Sequence, residues 1–199
     1  MQVTINGEMR EYYIDSVGTL LDLTKSIEET LPQGKFIMGL ALNGKQLDHL
    51  WYQTADKVYL LNEDTLEVSI GDSTLIGREA LKNSKEQFQK LLDDFRMISN
   101  SFRIKEEKEA NSRFVQGIEN LQYFIKLLED AAALLGRPLK QIIIKEEAFS
   151  KHLDDIALIL DLIIKTQNQK DWVMLADNIE YEMLPAIEKL GLLYDILEI

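Results

Sequence analysis

A chain of 199 residues, 46% hydrophobic and 28% charged, has the composition of one large globular domain or two small ones rather than of a disordered polymer. It contains no cysteine, which rules out disulfides, Cys-zinc and iron–sulfur ligation and thiol catalysis. A formal net charge of −12 repels nucleic-acid phosphates and anionic membranes unless a basic patch is segregated on one face.

The opening MQVTINGEMREYY lacks the basic region and apolar core of a signal peptide. The longest near-apolar run, Ile156 to Ile164, is interrupted by Asp161 and is too short to span a bilayer. A soluble cytoplasmic protein is expected, with neither membrane nor nucleic acid among its partners. The charge is uneven. From Arg78 to Arg113 there are nine basic and seven acidic residues, and from Asp171 to Ile199 one basic and seven acidic. Two outcomes are open: the segments pair with each other, or the last helix offers an acidic surface to a basic partner.

Met1, Val3 and Ile5 alternate with polar residues, the pattern of a half-buried strand. Asn6-Gly7 is a strong hairpin signal, because both residues tolerate positive φ, and Arg10 to Ile14 is the return strand. Thr19 with Asp22 reads as a capping box in which Asp replaces the usual Glu. Leu20, Leu23, Ile27 and Leu31 then make a short amphipathic helix, ended by Pro32-Gln33-Gly34. Lys35 to Leu42 is a strand, Asn43-Gly44 turns again, residues 48–56 are irregular, and Lys57–Leu61 and Thr65–Ile70 are two further strands.

The order is strand, strand, helix, strand, strand, strand. With MQVTI at the start, the Thr19–Glu29 helix after a hairpin, LNGKQLD (Leu42 to Asp48) and TLEVSI (Thr65 to Ile70), residues 1–70 resemble ubiquitin-like β-grasp domains, within an expected domain 1–71. The resemblance implies a small docking module. Conjugation and sulfur carriage depend in those families on a terminal Gly-Gly; here Gly71-Asp72-Ser73 leads into a helical region, and that chemistry does not transfer.

Residues 72–199 carry four amphipathic stretches. The first uses Leu81, Phe88, Leu91, Leu92, Phe95, Ile98 and Phe102, with Ser99-Asn100-Ser101 suggesting a turn. In the second, Phe114, Ile118, Leu121, Ile125, Leu128, Ala132 and Leu135 recur at alternating steps of four and three, the rhythm of a single apolar seam, closed by Gly136. The third starts at Pro138 and uses Ile142, Phe149, Leu153, Ile156, Leu160 and Ile163; with so tight a joint it lies antiparallel to the second. After the polar break Thr166 to Lys170, Asp171 caps the fourth, which uses Trp172, Leu175, Ile179, Met183, Leu190, Leu193 and Leu197. The expected fold class is α+β: a small ubiquitin-like β-grasp domain followed by an antiparallel four-helix bundle.

Chemistry-bearing patterns are sparse. Neither His49 nor His152 follows a Glu at the Glu-x-x-His spacing of bundle di-metal sites, and Leu153-Asp154-Asp155 after His152 departs from the Lys and Gly that follow a phosphotransfer histidine. His152 is expected at the surface. No metal or cofactor is expected. The candidate pocket or partner surface is Asp177, Glu180 and Tyr181, on one side of the fourth helix, beside Pro185, which removes the bond to the Tyr181 carbonyl and is expected to kink the helix. Trp51 and Tyr52 either anchor a partner or cover the edge of a small core.

The leading expectation is a non-catalytic interaction protein with a protein partner, adaptor- or chaperone-like. In size, acidity and heptad content it resembles bacterial export and flagellar chaperones. The alternatives are a small-ligand binder or enzyme with a pocket at the Pro185 kink or between the domains, and an oligomerising scaffold or homodimer using Phe124, Leu127, Ile143, Ile144 and Ile159.

Overall fold

The computed structural model describes residues 1–11, 18–104, 107–144 and 146–197. The protein is α+β, a mixed five-stranded sheet followed by helices, and divides into two compact units, Met1–Ser73 and Thr74–Ile199.

In the first unit, β1 (Gln2–Ile5) and β2 (Glu8–Glu11) form a hairpin across Asn6 and Gly7, whose φ values of 49° and 83° are those the Asn-Gly pair tolerates. The rest of the expected return strand, through Ile14, lies outside the described residues. Helix α1 (Leu20–Thr30) begins at the capping box. Asp22 N donates to Thr19 Oγ1 at 3.2 Å, and Thr19 N donates to Asp22 Oδ2 at 3.1 Å. Strands β3 (Lys35–Leu42), β4 (Lys45–Gln46) and β5 (Thr65–Asp72) complete a sheet of order β2-β1-β5-β3-β4. The β1–β5 pair is parallel, with Val3 beside Leu66 and Ile5 beside Val68; the other pairs are antiparallel. Val3, Ile5, Ile37, Leu40, Leu66 and Val68 share one core with Leu20, Leu23 and Ile27 of α1.

Lys57–Leu61 is not a strand of this sheet. β5, the strand it would pair with across the turn at 62–64, is already flanked by β1 and β3, so no ladder position beside β5 remains for that segment. It runs past the start of α1 instead. There Leu20 N donates to Val58 O at 2.8 Å, satisfying one of the orphan amides of the helix terminus, while Leu60 is buried in the core.

In the second unit, α2 spans Ser73–Arg103 and α3 spans Glu107–Leu134. The turn expected at Ser99-Asn100-Ser101 does not form. Ser101 Oγ bonds back to Met97 O at 3.0 Å, and Ser99 Oγ donates to Ala176 O at 3.0 Å on a neighbouring element, so both hydroxyls are satisfied with the helix intact. Helix α3 closes in a Schellman motif, with Arg137 N on Ala132 O and Gly136, at φ 70°, donating to Ala133 O.

The third helix does not start at Pro138. A 3-10 turn (Leu139–Gln141) and a two-strand hairpin, β6 (Ile143–Ile144) with β7 (Glu147–Ala148), intervene, and α4 runs only from Phe149 to Asn168. The β-branched run Ile142-Ile143-Ile144 favours extended backbone over another helical turn. The last stretch is also broken. It comprises α5 (Trp172–Asn178), capped by Asp171 Oδ1 on Met174 N, a π-helical turn (Ile179–Met183), α6 (Leu184–Leu190) and α7 (Leu192–Ile196).

Cross-helix neighbours fix the directions. Gly77 of α2 lies against Ala131 and Leu134 of α3, whereas Gly117 of α3 lies against Phe95 and Ile98 of α2, so the two run antiparallel. Ser84 meets Tyr194 while Ser99 meets Ala176, making α2 antiparallel to the last stretch.

Candidate functional site

Of the six residues singled out by sequence, two belong to the first unit and four to the second. Trp51 and Tyr52 lie in a 3-10 turn (Trp51–Gln53) of the first unit, edge to face at 6.3 Å. Trp51 packs on the core of that unit and Tyr52 is exposed. The other four occupy the end of α5, the π-turn and the start of α6, and split between two directions.

Asp177 and Glu180 face α2. Arg103, in its last turn, donates through Nη2 to Asp177 Oδ1 at 2.7 Å and through Nη1 to Glu180 Oε2. The Asp177 hydrogen bond first, then that of Glu180, holds the Arg103 guanidinium above its already high range. Farther along, Arg96 reaches Glu188 at 3.3 Å and Asp93 at 2.8 Å. The basic first stretch and the acidic last one therefore neutralise part of each other. These pairs are a third to a half exposed, so each is worth no more than about 1 kcal/mol. Sequence spacing pointed to the two acids but not to their partner, because Arg103 is one of nine basic residues in a segment distant in sequence. The only signal was the opposite sign of the two segments.

Tyr181 and Pro185 face outward. Pro185 does not interrupt a continuous α-helix. Leu184 N donates to Ile179 O, five residues back, closing a π-turn, and Pro185 falls in the first turn of α6, where a missing N–H is tolerated. The pair forms a ridge between two hollows. One, of about 300 Å³, is lined by Asp155, Leu158, Ile159, Tyr181, Pro185 and Lys189 among others. The other, of about 400 Å³, is lined by Arg96, Asn100, Glu180, Tyr181, Leu184 and Glu188. Leu158 is 67% exposed and Tyr181 64%. Leu162, one turn beyond Leu158, is also exposed. Sequence reading missed Leu158 and Leu162, which look like ordinary members of an apolar run.

His152 is not a surface residue. It is 7% exposed, set edge-on to Phe149 at 6.0 Å, and neither ring nitrogen has a hydrogen-bond partner among the described residues. Its spacing of three from Phe149 and four from Ile156 places it on the buried face of α4. Of the surplus apolar residues, Ile144 and Phe124 are buried, Leu127 and Ile159 half-buried, and Ile143 exposed. Among the described residues no cluster of His, Asp and Glu has metal-binding geometry, and no helix is long and apolar enough to cross a membrane.

A family model for a domain of unknown function, DUF8042, matches residues 79–192. The chain belongs to that family. The matched span runs from α2 through the Arg103 pairs, α4 and the π-turn to the end of α6, so the ridge and both hollows lie within it. An uncharacterized protein of Treponema pallidum (strain Nichols) is 26% identical over 197 residues, covering 96% of this chain and 94% of the relative, hence both units. No solved structure matches.

Proposed function

We propose that the protein is a non-catalytic interaction module, adaptor- or chaperone-like, in which a ubiquitin-like β-grasp unit precedes an antiparallel four-helix bundle that docks a protein partner in the cytoplasm. The sheet order, with its parallel β1–β5 pair and α1 sharing its core, supports the β-grasp reading. The antiparallel neighbours of α2 support the bundle reading.

The observation that carries the docking function is the exposure of Leu158 and Tyr181 around one hollow, on a helical unit that buries most of its large apolar side chains in one core. Large apolar side chains grouped at a hollow and rimmed by charge mark a binding surface more often than an idle one. The small-ligand or enzyme reading is weaker, since Glu180 and Glu188, the acids beside Pro185, are already held by Arg103 and Arg96. The homodimer reading is weaker too, because two of the five surplus apolar residues it relies on, Phe124 and Ile144, are taken into the core. Capture from a lysate of the source cells tests the proposal. The tagged full chain retains a protein partner in stoichiometric amount, and Tyr181→Ala releases it. A wild-type chain that retains none refutes it.

A further inference from the structure

Resting on that docking reading, we infer that the surface between α4 and the π-turn takes an amphipathic helix whose apolar stripe is bordered by Lys or Arg. The floor is apolar: Leu158, Ile159, Pro185 and Ala186 line the hollow, with Tyr181 as its raised edge. Asp155 and Glu182 stand in its lining against Lys189 alone, and Asp154 and Asp161 flank Leu158 on α4. From Asp154 to Ile199 there are ten acidic and three basic residues, a net −7, more than half of the −12 of the whole chain.

Charge decides between occupants. A second copy of this chain on the same face would set Asp154, Asp155, Asp161 and Glu182 against their own counterparts, and like charges at that range suppress the pairing. An anionic lipid surface or a nucleic acid meets the same repulsion. A cationic partner is drawn in and loses little on desolvation at the exposed rim. Shape decides the conformation. The hollow lies between helical elements and is walled by no strand, so an extended peptide has no sheet edge to pair with. A helix, by contrast, can lay side chains one turn apart on either side of the Tyr181–Pro185 ridge, into the two hollows.

Two fluorescein-labelled model helices, one of Leu and Lys and the other of Leu and Glu in the same pattern, test this by anisotropy against the full chain. The Leu/Lys helix binds about ten-fold or more tightly than the Leu/Glu helix, and weakens as salt is raised. Tyr181→Ala and Leu158→Ser each weaken it about ten-fold, as hot-spot truncations do. Both side chains are exposed, so thermal melts of these variants stay at the wild-type midpoint and separate lost binding from lost folding. Equal weakening by Asp154→Asn and Asp155→Asn, with no response to Tyr181→Ala or Leu158→Ser, means diffuse charge attraction and overturns the site. Tighter binding of the Leu/Glu helix, or a dimer by sedimentation that Tyr181→Ala dissolves, overturns the basic occupant while leaving docking at this face intact. If neither helix responds to the two substitutions and the chain sediments as a monomer, the inference and the docking reading fail together.

Discussion

His152 offers the sharpest energetic test. It is more than nine-tenths buried on α4, and both ring nitrogens are without hydrogen-bond partners among the described residues. Burying a polar group without compensation costs about 1–3 kcal/mol by mutational measures. Replacing imidazole by a leucine side chain removes that cost and adds apolar burial, against a reshaping penalty of less than about 1.5 kcal/mol. His152→Leu is therefore expected to stabilise the helical unit by about 1 kcal/mol, which for a chain of this size raises the melting midpoint by about 2–4 °C. The two tryptophans make the assay clean. Trp51 packs on the first unit's core, while Trp172 stacks on Phe102 of α2 at 5.8 Å. In a Trp51→Phe background, Trp172 fluorescence during urea unfolding reports the helical unit alone. A loss of about 1 kcal/mol or more in His152→Leu, with His152→Gln tolerated, would mean that the imidazole has a stabilising partner, and the reasoning would be refuted.

Four further outcomes are expected. Gly77→Ala and Gly117→Ala gain the same helix propensity, about 1 kcal/mol, but the first sets a Cβ 2.9 Å from the Ala131 carbonyl oxygen and the second 2.8 Å from the end of the Ile98 side chain. Backbone yields less than a side-chain tip, so calorimetry should find Gly77→Ala the less stable of the two. Arg103→Met should cost about 1 kcal/mol at low salt, and the difference from wild type should shrink as salt is raised, because its pairs are partly exposed.

Tyr194 is pushed above the usual phenol range by burial, only partly offset by its hydrogen bond with Ser84. Its folded-state pKa is raised, so its contribution to stability is complete below the ordinary tyrosine range and is lost as pH climbs through the folded value. Tyr194→Phe should flatten that alkaline loss in pH-dependent urea titrations, at a neutral-pH cost of about 0.5–1.5 kcal/mol, since Ser84 keeps its bond to Leu81 O. Asp64 runs the other way. Hydrogen bonds from Asn43, then Leu61, hold its carboxyl below the usual range, so its contribution is present above that range and disappears as pH falls through the depressed value. Asp64→Asn should make the acid unfolding of the first unit, followed by Trp51, less steep.

The elements that announced themselves did so through backbone chemistry. Asn6-Gly7 turned where positive φ was needed, and Thr19 with Asp22 capped α1. Part of what stayed hidden depended on small residues that carry little hydrophobic signal. The α3 seam that hydropathy predicts runs through Ile118 and Ile125, yet both are only half-buried. The fully covered rhythm is Ala110, Phe114, Gly117, Leu121, Phe124, Leu128 and Ala131, the same steps of four and three turned by one residue. Gly117 and the alanines let α2 come close, and hydropathy alone cannot weigh a residue for its smallness. The β6–β7 hairpin hid for a related reason: Ile142 fitted the helical period equally well, and short apolar runs do not distinguish the two. Of the candidate site, the acids and the proline were visible. Arg103 and Leu158 were not, because their roles come from elements distant in sequence.

The π-turn bears on how the last stretch can vary. A five-residue loop of hydrogen bonding winds more slowly than an α-helix, so Ile179–Met183 acts as a phase adjuster: residues before it are set by one azimuth and residues after it by another. Deleting one residue within it would let the segment wind as a plain α-helix, and about four residues at ~100° each turn the chain nearly as far as the five of the π-turn, so all that follows would keep its azimuth. Ile187, Leu190 and Leu193, now fully buried, would stay on the core, whereas a deletion at the start of α6, in plain α-helix, would swing them off it by about 100°. The π-turn is therefore the point along this stretch where the chain can lose one residue with the least disturbance to the core, and elsewhere in it length is held more tightly.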